Sequence, residues 1–392
     1  LAGPGEHHRA PLPLTEASTL SWSGTIRLLS PLLGTNGTVR LVTTDRYPRA
    51  GVELLRTAVP PGPLEEVLVR RSSVLRSLVA LATVGALASA GTAGAAASPY
   101  APLDRPGPRL SVPVADLKAG LHCEGDFRHG RLEPVLLSPG TSATAEQNFS
   151  WNYERAFNAQ HRPWCAVTPP HHTLGDIQVA GEYLVYGIRT MHRMAGRKVA
   201  VVGHSQGGMS MRWALRFWPD TRPMVDDVVG MAPTNHGTTA GGSCMPGVTS
   251  CVPAAWQQAA TAKFIEALNS RAETFRGISY TNVFTHNDEE VKPSDTPATA
   301  SSSLHTGQGR ITNVAVQDLC PNDVYEHNFN GTVDPVTYGL VMDALDHDGP
   351  AVPARVPAAV CDQQYQPGID PANPQNYLQP AQLAPAIVSI VV

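Results

Sequence analysis

The stretch of this chain best suited to carry chemistry is Gly203-His204-Ser205-Gln206-Gly207. A serine hydroxyl is a weak nucleophile at neutral pH. It attacks a carbonyl only when a base takes its proton and an acid orients that base. It must also be held clear of the fold, and the spacing G-x-S-x-G does this where a strand turns sharply into a helix, the nucleophile elbow. The helix N-terminus behind Ser205 offers unpaired N–H groups that favour a developing negative charge. The acid and base are expected downstream, in the order Ser, then Asp or Glu, then His. Tyr280 to Thr285 reads as a strand that leads into His286-Asn287-Asp288-Glu289-Glu290, so Asp288 is the candidate acid, with Glu289 and Glu290 as rivals. Ile311 to Val316 reads as the next strand, and His327 beyond it is the candidate base. His305, ahead of that strand, and His347, after it, compete for the same role. Two donors must meet the tetrahedral oxygen. One is the backbone N–H of Gln206, and the other is Thr141, in the loop Pro139 to Thr144.

These residues need a scaffold. Val199 to Val202 is a continuous apolar run, as expected of a strand buried on both faces, and Met209, Met211 and Trp213 to Leu215 beyond the turn are patterned as a helix. Val135 to Leu137 and Trp164 to Thr168 read as earlier strands, and Val225 to Met231 as a later one. Asp176 can cap a helix on which Val179, Tyr183, Tyr186, Ile188 and Met191 recur at helical spacing. Further helices are expected over Ala254 to Leu268 and Asp334 to Leu345. Alternation of this kind predicts an α/β fold, a mostly parallel central sheet with helices on both faces.

With 42% hydrophobic and 16% charged residues in 392, the chain can bury a substantial core. The first 97 residues hold nine Arg and six acids, which leaves 20 Lys and Arg against 27 acids in the remainder. A mildly acidic body without a basic patch argues against a nucleic-acid partner. The chain opens with Leu, and residues 1–66 lack sustained periodicity, as expected of a non-native or disordered extension. Residues 67–97 have the parts of a secretory signal peptide: Arg70, Arg71 and Arg76, then an apolar run from Leu78 to Leu87, then Ala95-Ala96-Ala97 as a cleavage site. Residues 98–120 form a Pro-rich linker and N-terminal segment, and 121–392 the main domain. All six cysteines follow residue 97, and in an exported protein an even count reads as three disulfides of open connectivity. Neither a C-x-x-C pair nor a zinc-like Cys/His cluster is present, so no metal is implied.

Several separated segments, in order, resemble the lipase B type of α/β-hydrolase: PVLLSPGTSAT, Trp164-Cys165 to Pro170, VVGHSQGGM followed by Trp213, Ala232-Pro233 with His236-Gly237-Thr238, Trp256-Gln257-Gln258, and NDEEVKP at 287–293. The resemblance spans about Leu121 to Cys361. It implies the α/β-hydrolase fold, with Ser205 as nucleophile, Asp288 as acid, His327 as base, and Thr141 and Gln206 as oxyanion donors. It also implies the disulfides Cys123–Cys165 and Cys320–Cys361, and Cys244–Cys251 would then close a short loop. The sequence departs from the family at His204, where the family has Trp before the serine, and at Glu326, where the family has Asp before the base. The expected protein is a secreted monomeric serine esterase acting on triacylglycerols or another apolar ester, with no cofactor and no lasting membrane span. A polyester depolymerase or an acyltransferase would use the same acyl-enzyme. A cell-surface binding protein on a hydrolase scaffold is the alternative outside enzymes.

Overall fold

A computed structural model describes residues 98–240 and 251–373. The expected N-terminal extension (1–66), the signal peptide (67–97), Cys244 and the apolar C-terminal tail lie outside these residues.

Seven strands form one sheet: β1 (Leu121–Glu124), β2 (Val135–Ser138), β3 (Trp164–Val167), β4 (Val199–His204), β5 (Val225–Met231), β6 (Ser279–Phe284) and β7 (Arg310–Ala315). Their spatial order is β1-β3-β2-β4-β5-β6-β7. Only β1 runs antiparallel to its neighbour, and every other pair is parallel. The apolar run at β4 explains its central place, because side chains alternate across a strand and both faces must be covered. Val199 and Val201 join a core with Leu184, Ile188, Met191 and Trp213 from the helices Ile177–Ala195 and Gln206–Phe217. Ala200 and Val202 join the opposite core with Phe149, Phe157, Leu340 and Val341, the last two from the helix Pro335–Asp346. The expected α/β architecture with helices on both faces is therefore the one observed.

The helix ends follow the sequence signals. Asp176 and Asp334 each cap a helix, accepting N–H bonds from Gln178 and from Val336 and Thr337. The expected helix over Ala254 to Leu268 is instead two short ones, Pro253–Gln257 and Lys263–Leu268. The backbone between them pairs with another segment: the Thr238 N–H donates to the Gln258 carbonyl at 2.8 Å, and the Ala260 N–H to the Thr238 carbonyl at 3.0 Å. Strand β1 was not evident in the sequence pattern. It is held by a disulfide between Cys123 and Cys165, which stand directly opposite each other in the β1–β3 ladder. A second disulfide joins Cys320 to Cys361. Cys251 is also disulfide-bonded, and its expected partner Cys244 lies outside the described residues. The Pro-rich stretch after residue 97 packs on the first core through Tyr100, Leu103, Leu110 and Val112, and Glu182 accepts the Ser111 N–H and hydroxyl. Among the described residues no helix is long and apolar enough to cross a membrane.

Candidate active site

Strand β4 ends in the elbow. Ser205 sits at φ 53°, ψ −122°, a left-handed conformation that a residue with a side chain adopts only under constraint. The constraint comes from both sides: its N–H donates to the Met231 carbonyl at 2.8 Å, and the Gln206–Phe217 helix begins at the next residue. The flanking glycines are required by close approach. A Cβ on Gly207 would lie 2.1 Å from the Ser138 carbonyl oxygen, and one on Gly203 would lie 2.5 Å from the Gly207 backbone. Ser205 is 7% exposed, and its hydroxyl makes no hydrogen bond among the described residues.

Strands β6 and β7 are parallel neighbours, so the loops at their carboxyl ends emerge side by side. That places Asp288 against His327: Asp288 Oδ2 lies 2.8 Å from His327 Nδ1. The other carboxylate oxygen accepts the Glu290 and Val291 N–H groups at 2.9 and 2.7 Å, which pins the Asp288 side chain. Both residues are buried. Burial pushes the His327 imidazole down, but the Asp288 charge and hydrogen bond, with Glu290 and Glu289 behind them, outweigh it and raise its pKa to about 9. The rival carboxylates are placed elsewhere. Glu289 Oε2 accepts the backbone N–H of His327 at 3.3 Å, away from the ring, and Glu290 makes no hydrogen bond to it. Of the rival bases, His305 stacks on His236 and His347 lies against Asp343.

Thr141 and Gln206 also come together. The Thr141 hydroxyl donates to Gln206 Oε1 at 2.9 Å, and the Gln206 amide donates to the Thr173 carbonyl at 3.1 Å. The backbone N–H groups of Thr141 and Gln206 have no acceptor among the described residues. A pair of unclaimed N–H groups flanking a serine is what an oxyanion requires.

A curated relative, Lipase B of Pseudozyma antarctica, is 32% identical over 289 residues, covering 72% of this chain and 82% of that protein. The chain belongs to the lipase B family of α/β-hydrolases. It is an ester hydrolase of that family. The crystal structure of Aspergillus fumigatus lipase B matches this lipase B fold with a TM-score of 0.65 and 28% identity, over 73% of this chain and 70% of that one. No protein-family model matches the chain.

Three further residues, to which the sequence alone assigned no role, bear on this candidate site. Gln258 donates to the Thr141 hydroxyl at 2.9 Å, completing a chain from Gln258 through Thr141 to Gln206. The segment Trp256-Gln257-Gln258 carried part of the family resemblance, and that was the available signal. Glu326 caps the short helix His327–Asn330, accepting from Asn328 and Phe329 at 2.7 and 3.2 Å, and so fixes the first turn that presents His327. Burial first, and then Glu289, raise its pKa to about 7. Asn148 bonds the Gly140 N–H at 3.0 Å and steadies the loop that carries Thr141.

Proposed function

We propose that this protein is a secreted serine ester hydrolase that cleaves triacylglycerols or other apolar carboxylic esters through Ser205, His327 and Asp288. The observation that carries the reading is the 2.8 Å contact between Asp288 Oδ2 and His327 Nδ1, together with a serine held in a left-handed elbow. Neutral His327 takes the Ser205 proton on Nε2 as Oγ attacks the ester carbonyl carbon. The carbonyl oxygen becomes an oxyanion and accepts from the Thr141 and Gln206 N–H groups. The Thr141 hydroxyl can join them by releasing Gln206 Oε1. His327 then gives its proton to the departing alkoxide, which leaves an acyl-Ser205. Water, deprotonated by His327, attacks the acyl carbon, and the carboxylic acid leaves as Ser205 recovers its proton. Asp288 holds Nδ1–H in place throughout, so Nε2 always faces the reacting oxygen. In the free enzyme the Ser205–His327 hydrogen bond is unmade, a common state that tightens with substrate bound.

The leader at 67–97 and the disulfides Cys123–Cys165 and Cys320–Cys361 support export to an oxidising compartment, with cleavage after Ala97. The test is hydrolysis of p-nitrophenyl esters from short to long chains, and of emulsified triolein, by protein beginning at Ser98, with Ser205→Ala alongside. Serine-dependent turnover of long esters and triolein is expected. Turnover of short esters alone would make the protein a carboxylesterase or polyesterase, and transfer to an alcohol in preference to water would make it an acyltransferase. A Ser205→Ala variant that keeps most of its activity would overturn the mechanism.

A further inference from the structure

His204, the residue before the nucleophile, takes no part in the chemistry just described, yet its side chain joins the nucleophile's strand to the base's helix. It is the last residue of β4 and 2% exposed. Its Nε2 lies 3.3 Å from the carbonyl oxygen of His327, and its Nδ1 lies 3.2 Å from Asn148 Oδ1. The two imidazole rings face each other at 5.3 Å with a tilt of 33°. Gly331, just past the His327–Asn330 helix, makes room for the ring: a Cβ there would lie 2.1 Å from His204 Cδ2.

Both ring nitrogens therefore face oxygen. A neutral imidazole carries a single N–H, so only one of the two contacts is a hydrogen bond in that state. An imidazolium would satisfy both, but burial and the neighbouring His327 push the His204 pKa down to about 3. The single proton must choose. Asn148 Oδ1 already accepts the Gly140 N–H, whereas the His204 ring is the one side chain that reaches the His327 carbonyl among the described residues. This favours the proton on Nε2.

We propose that His204 is a positioning residue: as the neutral Nε2–H tautomer it donates to the His327 backbone carbonyl and holds the base in register with Ser205, its own chain neighbour. The inference rests on the reading of Ser205 as nucleophile and His327 as base. Strand β4 is the central strand of the seven, so the bond ties the base's helix to the middle of the sheet. Without it, the backbone of this turn is still held by Glu289 and Glu326, neither of which belongs to the elbow. A shift of the base by a fraction of an ångström costs turnover rather than binding.

The experiment compares kcat and KM for p-nitrophenyl butyrate in wild type, His204→Phe, His204→Gln and Ser205→Ala, and records long-range 1H–15N spectra of the wild-type imidazoles between pH 5 and 9. His204→Phe keeps a ring and removes the donor, and kcat is expected to fall roughly 10- to 100-fold while KM stays within about threefold. His204→Gln can still donate to the carbonyl and is expected to recover most of the loss. The wild-type spectra are expected to show a neutral Nε2–H tautomer that does not titrate. A kcat for His204→Phe within about threefold of wild type, a change confined to KM, or a spectrum showing the Nδ1–H form or a titration in this range would overturn the proposal. The spectra decide it even where a variant fails to fold. Serine-independent activity would instead overturn the underlying mechanism, which separates the two failures.

Discussion

Asp288→Asn tests the proposed site with the least disturbance of the fold. Asn has the same shape, and its carbonyl oxygen can still accept the Glu290 and Val291 N–H groups now bonded to Oδ1. The change falls on the other oxygen, 2.8 Å from His327 Nδ1, where an NH2 would replace an acceptor. Nδ1 must then accept, the imidazole proton moves to Nε2, and the atom that should take the Ser205 proton already carries one. A wrong tautomer of this kind costs about 10⁴ in kcat in a serine protease triad, or ~5.4 kcal/mol at 1.36 kcal/mol per tenfold. The same substitution removes the chief influence holding the His327 pKa near 9. Burial, which opposes protonation of His327, would then be less well offset, so the ring should become harder to protonate. The base acts in its neutral form. Wild-type kcat/KM should therefore rise with pH toward about 9, and in Asp288→Asn the residual activity should reach its plateau at clearly lower pH. The assay is p-nitrophenyl ester hydrolysis from pH 5 to 10, with circular dichroism to show that both proteins are folded. A folded Asp288→Asn enzyme with kcat within tenfold of wild type, or with an unmoved acid limb, would refute the assignment of Asp288 as the acid.

Two further predictions concern the frame. Gly207→Ala should abolish activity and lower the yield of folded protein, because its Cβ would meet the Ser138 carbonyl oxygen at 2.1 Å, a backbone atom that cannot swing aside; soluble expression and Ser205-dependent turnover at wild-type levels would contradict this. At the amino ends of the strands, far along the sheet from the elbow, Asp227 has a buried carboxylate oxygen without a partner, and burial followed by Asp226 raises its pKa to about 7. An acid raised in the folded state takes up protons that the unfolded chain releases, so its contribution falls as pH rises from about 4 to 7. Asp227→Asn removes that loss, by at most about 4 kcal/mol, and should raise Tm at pH 8 but not at pH 4; equal Tm differences at the two pH values would show that Asp227 ionises normally.

The local features of this chain were legible without its fold because they depend on neighbours in sequence. An apolar run, a glycine-flanked serine and a helical pattern identify the elbow, since strand burial and tight-turn sterics act over a few residues. The alternation of such segments likewise dictated a parallel α/β sheet. Strand β1 escaped notice because two of its four residues are exposed and the other two only half-buried, and partnership with β3 makes them a strand. The helix expected over Ala254 to Leu268 broke because Thr238 captures the backbone between its halves, a contact that no periodicity announces. Around the site, the choice among Asp288, Glu289 and Glu290 and among His305, His327 and His347 was open on residue type and position, and only the family resemblance narrowed it. The structure places these side chains through the pairing of β6 with β7, which turns two loops distant in sequence toward each other. The environment of His204 is the plainest case. Sequence shows a histidine beside Ser205, but its burial, its contact with the His327 carbonyl and the space left by Gly331 exist only once strand, loop and helix have closed on one another. Chemistry borne by residue type and local turn geometry was therefore written in the chain, and the charge states and partners that set it to work were decided by long-range packing, because desolvation and hydrogen-bond distance are properties of assembled surfaces.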